Sequence, residues 1–313
     1  MLGIADIAVY LPERRASNLE LMAHFEVDEH FLTKKIGVLQ RAIKAENEDT
    51  SDMALSALEK LIHKRGLARD EIQALVVVTQ NPDSNIPHVS GLVHGRAKLS
   101  SKCAAFDISL GCSGYVYGLS VLQSFLNSNG LNKGVLITCD PYSKVIDPED
   151  KSTALLFGDA ATATLVGVEP VYVCSPFMFG TEGDLIGALA CNNNKLQMNG
   201  REVFNFVMRT IPNHVLDLLK TANLQNGDID AYIFHQGSRY IVEALAKKLE
   251  ISSSMIRIGI EDVGNTVSSS IPLLLEQELK NKKNIKILLC GFGVGLSWAS
   301  CICTRIGTNN YEF

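Results

Sequence analysis

The 313 residues carry 29 Lys and Arg against 34 Asp and Glu, a net charge of −5 that leaves no general basic footprint for nucleic acid, though a local basic patch for an acidic partner stays open. Hydrophobic residues at 46% and charged residues at 20% describe an ordinary globular enzyme, long for one core and natural for two similar halves. No apolar run approaches the ~18 residues of a membrane span, and the opening Met1–Tyr10 stretch lacks the basic flank and apolar core of a signal peptide, so a cytoplasmic location is expected.

In chain order, apolar runs predict strands at Ile4–Tyr10, Ala74–Thr79, Ala104–Ile108, Gly134–Cys139, Ala161–Val168, Ala231–Phe234, Ile285–Cys290 and Ser297–Thr304. Amphipathic stretches between them predict helices at Thr50–Arg65, Pro87–Lys98, Gly114–Asn127, Val203–Ala222, Arg239–Leu249 and Val267–Lys280. Continuous apolar strands alternating with helices point to α/β layers with sheets buried on both faces. Leu67, Ile72 and Ala74 recur as Leu224, Ile229 and Ala231 at a constant offset of 157 (224 − 67, 229 − 72, 231 − 74). Gly111 and Gly264 each precede a helix, and the strands ending at Cys139 and Cys290 correspond, so the α/β unit reads as duplicated.

Eight cysteines are scattered through a chain too long to need disulfide staples. Cys139 and Cys290 end apolar runs and read as buried strand residues; Cys301 and Cys303 form a C-x-C pair with no second Cys/His pair at zinc spacing nearby. Cys112 differs. An apolar strand runs into Gly111-Cys112-Ser113-Gly114 and a helix follows, the layout of a nucleophile elbow with Cys in place of Ser. A thiol at a helix N-terminus is expected to have a lowered pKa. The segment alone admits two readings, a nucleophile or a small buried Cys at a tight turn. His235 ends an apolar strand where α/β folds present reactive groups, though a lone His there is more often a structural residue. Asn265, in Gly264-Asn265-Thr266, reads as a turn residue or as part of a site. Gly291-Phe292-Gly293-Val294-Gly295 forms a glycine-rich hairpin whose backbone N–H groups can face a substrate oxygen.

Together and in this order, these segments resemble the thiolase-fold condensing enzymes, and among them the type III β-ketoacyl-acyl-carrier-protein synthases. Phe157-Gly158-Asp159-Ala160-Ala161 is similar to that family's Phe-Gly-Asp-Gly-Ala loop, and the likeness runs from Tyr10-Leu11-Pro12-Glu13 to Ser297-Trp298. Asn265 fits type III enzymes or chalcone-type synthases rather than elongating ketosynthases, which have a second His there; chalcone-type chains are usually longer. The resemblance implies a thiolase-like α/β fold of two duplicated βαβαβαββ halves in five α-β-α-β-α layers, with residues 1–168 carrying the Cys and 169–313 the His and Asn. It implies that Cys112 takes an acyl group from a thioester, coenzyme A or carrier-protein linked, and that malonyl on acyl carrier protein then loses carbon dioxide. His235 and Asn265 would donate to the enolate oxygen, and the backbone N–H groups of Cys112 and Val294 would hold the tetrahedral oxyanion. Ile86, Phe157 and Phe292 would line the acyl pocket, and Arg239, Lys247 and Lys248 would meet acyl carrier protein. A homodimer is implied, with the Ile86 segment near the partner's pocket; no metal or redox cofactor is implied.

The sequence departs from the family's pattern around coenzyme A. Asp28-Glu29-His30 stands where the family has Asp-Glu-Trp, Lys151 matches an adenine-stacking Arg, and Leu39 replaces the Arg of Gly-Ile-Arg. Stacking on an indole or guanidinium is lost at these positions, so ordinary acetyl-coenzyme A is expected to bind weakly or not to be the donor. His-Gln-Ala-Asn-x-Arg becomes His235-Gln236-Gly237-Ser238-Arg239-Tyr240, which moves the Arg one place and turns it by about 100° on a helix. Ile86 precedes Pro87 where a gating Phe is usual. Two further readings follow: a specialised relative passing the acyl group to a non-malonyl acceptor, and a non-catalytic partner subunit of a heterodimer.

Overall fold

The computed structural model describes residues 1–307; the tail of the expected second half, 308–313, lies outside the described residues. Its strands are β1 Gly3–Tyr10, β2 Arg15–Ser17, β3 Gln40–Ala42, β4 Ala74–Val78, β5 Ala104–Ile108, β6 Lys133–Cys139, β7 Ala161–Gly167, β8 Tyr172–Thr181, β9 Leu189–Asn192, β10 Lys195–Met198, β11 Ala231–Phe234, β12 Lys286–Gly293 and β13 Ser297–Arg305. The helices are α1 Thr50–Arg65, α2 Val89–Arg96, α3 Gly114–Ser128, α4 Lys151–Ala154, α5 Gly200–Thr221, α6 Arg239–Lys248 and α7 Ser270–Lys280.

The apolar strands are buried on both faces, residue by residue. In β4, Ala74, Val76 and Val78 enter one core while Leu75 and Val77 enter another. In β12, Ile287 and Leu289 join the first core while Leu288, Cys290 and Phe292 join a third. This period-two division stacks the molecule in five layers. Helices α1 and α2 cover one sheet, α3 and α7 lie between the sheets, and α5 and α6 cover the other.

The strand order β11-β12-β13-β8-β1-β7-β6-β4-β5 contains the duplication. Outward from the centre, β1-β7-β6-β4-β5 is mirrored by β8-β13-β12-β11, after which Ile256 bridges Tyr232 where a fifth strand would stand. The two sheets meet at one paired position, Ile4 opposite Tyr172. The 157-residue offset also holds for a 3-10 turn, Arg69–Glu71 in one half and Asn226–Asp228 in the other.

Three expectations change. Strand β8 is not announced by the sequence, because Pro176 interrupts it; a bulge opposite Cys301–Cys303 absorbs Ser175 and Pro176 between the paired Cys174 and Phe177. The helix expected from Val267 begins as a 3-10 turn, Val267–Ser269, and becomes α-helical at Ser270. The C-x-C pair gains a third thiol: Cys174 Sγ lies 2.7 Å from Cys303 Sγ, which is 4.0 Å from Cys301 Sγ. Cys139 and Cys290 are fully buried strand residues, as expected. Among the described residues, no helix is long and apolar enough to cross a membrane.

Candidate active site

Strand β5 leads through Ser109-Leu110-Gly111 into Cys112, and α3 begins two residues later. Glycine is needed on both sides of the thiol. A Cβ on Gly111 would sit 2.6 Å from Gln80 Oε1 and 2.7 Å from a Val294 methyl, and one on Gly114 would sit 2.5 Å from a Val78 methyl. The opposite wall is the glycine-rich hairpin. A Cβ on Gly291 would lie 2.6 Å from the Cys112 carbonyl oxygen, and one on Gly293 would lie 2.7 Å from Cys112 Sγ. This approach places the backbone N–H groups of Val294 and of Cys112 itself on the sulfur. Ser113 Oγ and Ser297 Oγ, 2.8 Å apart, tie the start of α3 to β13.

The expected lowering of the Cys112 pKa does not hold. The thiol is 3% exposed, and burial, reinforced by the negative field of Asp140, pushes it up to about 12 against the pull of those two N–H groups. Desolvation outweighs the helix terminus, so the resting sulfur is protonated.

His235 follows β11, its N–H donating to the Cys290 carbonyl at 2.8 Å. Its ring stands edge-on to Phe292 at 5.7 Å, and Nδ1 lies 2.8 Å from Ser270 Oγ. Burial holds its pKa down at about 3, opposed by the Val267 backbone, so the imidazole is neutral at pH 7. Asn265 bridges to the Phe157 loop: its N–H donates to the Leu156 carbonyl at 2.8 Å, and Gly158 N–H donates to its carbonyl at 3.0 Å. A Cβ on Gly158 would meet the Val263 carbonyl at 1.9 Å, which explains the glycine in Phe157-Gly158-Asp159. Asn265 Oδ1 accepts from Val267 N–H at 2.9 Å, so the amide is a turn residue and also aims Nδ2 at His235 Nε2, 3.5 Å away.

These side chains converge. Cys112, Tyr142, Phe157 and Val267 share one buried cluster, and Phe292 lies between the two glycines that touch Cys112 while its ring abuts His235. Ile86 is not among them: it is 87% exposed on the loop after β4. That loop borders a cavity of about 640 Å³ lined by Gln80–Asn85, Ser109, Tyr142, Lys144, Val145, Ala190, Cys191, Asn194, Leu196 and Val294. The cavity reaches the hairpin behind Cys112 through Val294, and Cys191 is the exposed cysteine on its wall.

The remaining predicted positions lie apart from this centre. Arg239 is ion-paired, with Glu261 at 2.9 Å and Glu243 at 3.8 Å, while Lys247 is exposed on α6 and Lys248 Nζ donates to the Met208 carbonyl at 2.8 Å. His30, Leu39 and Lys151 gather around the π-helical turn Phe31–Ile36: His30 precedes it, Leu39 packs against its hydrophobic cluster, and Lys151 Nζ stands 5.4 Å over the Phe31 ring. Beside them, a cavity of about 300 Å³ is lined by Ile36, Leu156, Met198, Phe204, Ser238 and Tyr240. Here Tyr240 stacks on Phe204 at 5.3 Å, with Lys35 Nζ 4.5 Å from the Tyr240 ring centre. The sequence signal missed Gln80, Tyr142 and Ser270. The first two lie outside the glycine-marked segments, and Ser270 is one of three consecutive serines that only the helix start tells apart.

The 3-oxoacyl-acyl-carrier-protein (ACP) synthase III family model matches residues 106–183, and the model of its C-terminal region matches residues 219–305. The chain is 36% identical over 305 residues to beta-ketoacyl-acyl-carrier-protein synthase III 1 of Halalkalibacterium halodurans, covering 95% of this chain and 96% of that protein. A 2.1 Å crystal structure of a 3-oxoacyl-acyl-carrier-protein synthase III superposes with a TM-score of 0.92 at 33% identity, over 97% of this chain and 99% of that one. The synthase III of Thermus thermophilus superposes with a TM-score of 0.90 at 31% identity, over 98% and 100%. The nucleophile elbow, the His and Asn loops and the five-layered fold thus agree with full-length sequence similarity, and the chain belongs to the 3-oxoacyl-acyl-carrier-protein synthase III family of thiolase-fold condensing enzymes.

Proposed function

We propose that the chain is an acyltransferase that loads an acyl group onto Cys112 and condenses it with malonyl-acyl-carrier protein, releasing carbon dioxide and giving a 3-oxoacyl product that starts a fatty acyl or related chain. The observation that carries this reading is the convergence of Cys112, His235 and Asn265 from three separate segments around Phe157, Val267 and Phe292. In the first step the sulfur attacks the thioester carbonyl and the donor's own thiol departs; the N–H groups of Cys112 and Val294, which face the resting sulfur, would hold the oxyanion that develops beside it. In the second, His235 and Asn265 donate to the thioester oxygen of malonyl, stabilising the enolate left when carbon dioxide departs. The carbanion then attacks the acyl-Cys112 carbonyl, and the thiol is released. Because the resting thiol is protonated, its proton ends on the departing donor thiol.

The same reading takes acyl carrier protein as partner, Lys247 and Lys248 as docking cations, a homodimer as the working form and the cytoplasm as location, with the two halves dividing at 168/169. Arg239, held by two glutamates, is the weakest docking candidate. The His30–Leu39–Lys151 group and the Tyr240–Phe204 stack favour a donor other than free acetyl-coenzyme A. They also support a second reading, transfer to a non-malonyl acceptor. A silent subunit fits poorly with three retained reactive side chains.

The test is intact-mass spectrometry of the chain after exposure to acyl-coenzyme A and acyl-carrier-protein donors, followed by release of labelled carbon dioxide from malonyl-acyl-carrier protein. Acyl mass on wild type, none on Cys112→Ala, and carbon dioxide only from the loaded enzyme support condensation. Loading without carbon dioxide release supports the second reading.

A further inference from the structure

Condensation as proposed needs a hydrogen on the outer nitrogen of His235. A neutral imidazole has one N–H, and the group facing the inner nitrogen decides where it sits. Nδ1 faces Ser270 Oγ at 2.8 Å. Ser270 is 3% exposed at the first position of α7, where the 3-10 turn gives way to α-helix. Its hydroxyl has one hydrogen and two acceptors in reach, Nδ1 at 2.8 Å and the Val267 carbonyl at 3.0 Å. Its oxygen is approached by the Gln236 N–H at 3.5 Å, and its single hydrogen goes either to Nδ1 or to the Val267 carbonyl. On the far side, Asn265 Oδ1 is occupied by Val267 N–H, which leaves its Nδ2–H group beside Nε2, 3.5 Å away and bordering the same space.

We infer that Ser270 is a positioning residue: by donating its hydroxyl hydrogen to Nδ1 it holds the His235 proton on Nε2, where it and Asn265 Nδ2–H form a two-donor seat for an anionic thioester oxygen. This rests on the condensation reading and deepens it. The competitor is the Val267 carbonyl, which can only accept. Were the ring proton on Nδ1, that carbonyl or Ser270 Oγ would take it, and Nε2 would turn a lone pair on the enolate oxygen. One hydroxyl therefore separates a donor from a repulsive group. Burial keeps the ring neutral, so tautomer rather than charge is the variable.

The test uses the full chain with 15N-labelled histidine. Long-range 1H–15N correlation identifies which ring nitrogen of His235 carries hydrogen at neutral pH. The expected result is Nε2–H in wild type and in Ser270→Thr, and Nδ1–H in Ser270→Ala. In kinetics, Ser270→Ala is expected to lose about a hundredfold or more in kcat for carbon dioxide release, the scale of one lost oxyanion donor. Its KM for malonyl-acyl-carrier protein and its acyl loading on Cys112 should be retained, and Ser270→Thr should restore turnover. Nδ1–H in wild type overturns the inference, as does an alanine variant that keeps Nε2–H and full turnover. If the alanine variant does not fold, the wild-type spectrum and the threonine variant decide. A wild type that loads Cys112 but releases no carbon dioxide defeats the condensation reading instead, and the spectrum still settles the tautomer.

Discussion

Cys112 and His235 are both held in their neutral forms by burial, and this sets how the site answers to pH. Asp140, itself pushed up to about 6 by burial, raises the Cys112 thiol. Asp140→Asn removes that charge, so alkylation of the free enzyme at Cys112 should begin at lower pH than in wild type, read by mass spectrometry of the Cys112 peptide. The His235 ring titrates near 3 in the fold against 6.5 as the ordinary value. The unfolded chain therefore binds the extra proton first. The stability from burying the neutral ring is complete above 6.5 and falls as pH drops toward 3, by about 1.4 kcal/mol per pH unit within that window. Chemical denaturation between pH 7 and 4 should show this slope added to a comparable one from His214, depressed to about 4, so His235→Asn should reduce the combined slope by about half. The three candidate residues stood out in the sequence because each lies beside a glycine or a strand terminus. Ser270 was not, because a run of serines gives no register until the helix start is known. The state of the Cys112 thiol was misjudged because sequence shows the helix terminus and hides the burial.

The hairpin joining β12 to β13 illustrates what local pattern reveals. Its glycines are visible in sequence, and the structure adds the reason: Gly293 lies against Cys112 Sγ and Gly291 against the Cys112 carbonyl. Gly293→Ala should push the hairpin off the sulfur and misplace Val294 N–H. A cost of about 3 kcal/mol in the acylation barrier is expected, measured as the rate of acyl loading. In the layer between the sheets, Leu119→Ala on α3 removes a fully buried side chain and should destabilise the fold by about 3–5 kcal/mol in denaturant titration. The central strands were legible because both their faces are apolar. Strand β8 escaped because Pro176 cannot donate to a ladder, and only the bulge opposite Cys301–Cys303 makes it tolerable.

Over the whole molecule, the 157-residue offset was enough to predict two equivalent halves, because duplicated units keep their spacing even where side chains diverge. The surface was less legible. Strand β5 ends the nine-stranded sheet, and an open edge is a pairing site unless it is covered. With Ile86 at 87% exposure, Phe179 at 45% and Val121 at 39%, this supports the proposed homodimer. Sedimentation should report twice the chain mass, and Val121→Asp should shift it toward the single chain.

Cys191 gives the cavity beside the active centre a use beyond catalysis. It is the exposed thiol, while Cys112 is buried and protonated; Cys191 lines the cavity together with Val294, whose N–H faces the Cys112 sulfur. A chloroacetamide fragment should therefore anchor on Cys191 first. Tethered there, it would occupy the room an incoming acyl donor needs, so this chain carries its own attachment point for covalent ligands that spare the nucleophile.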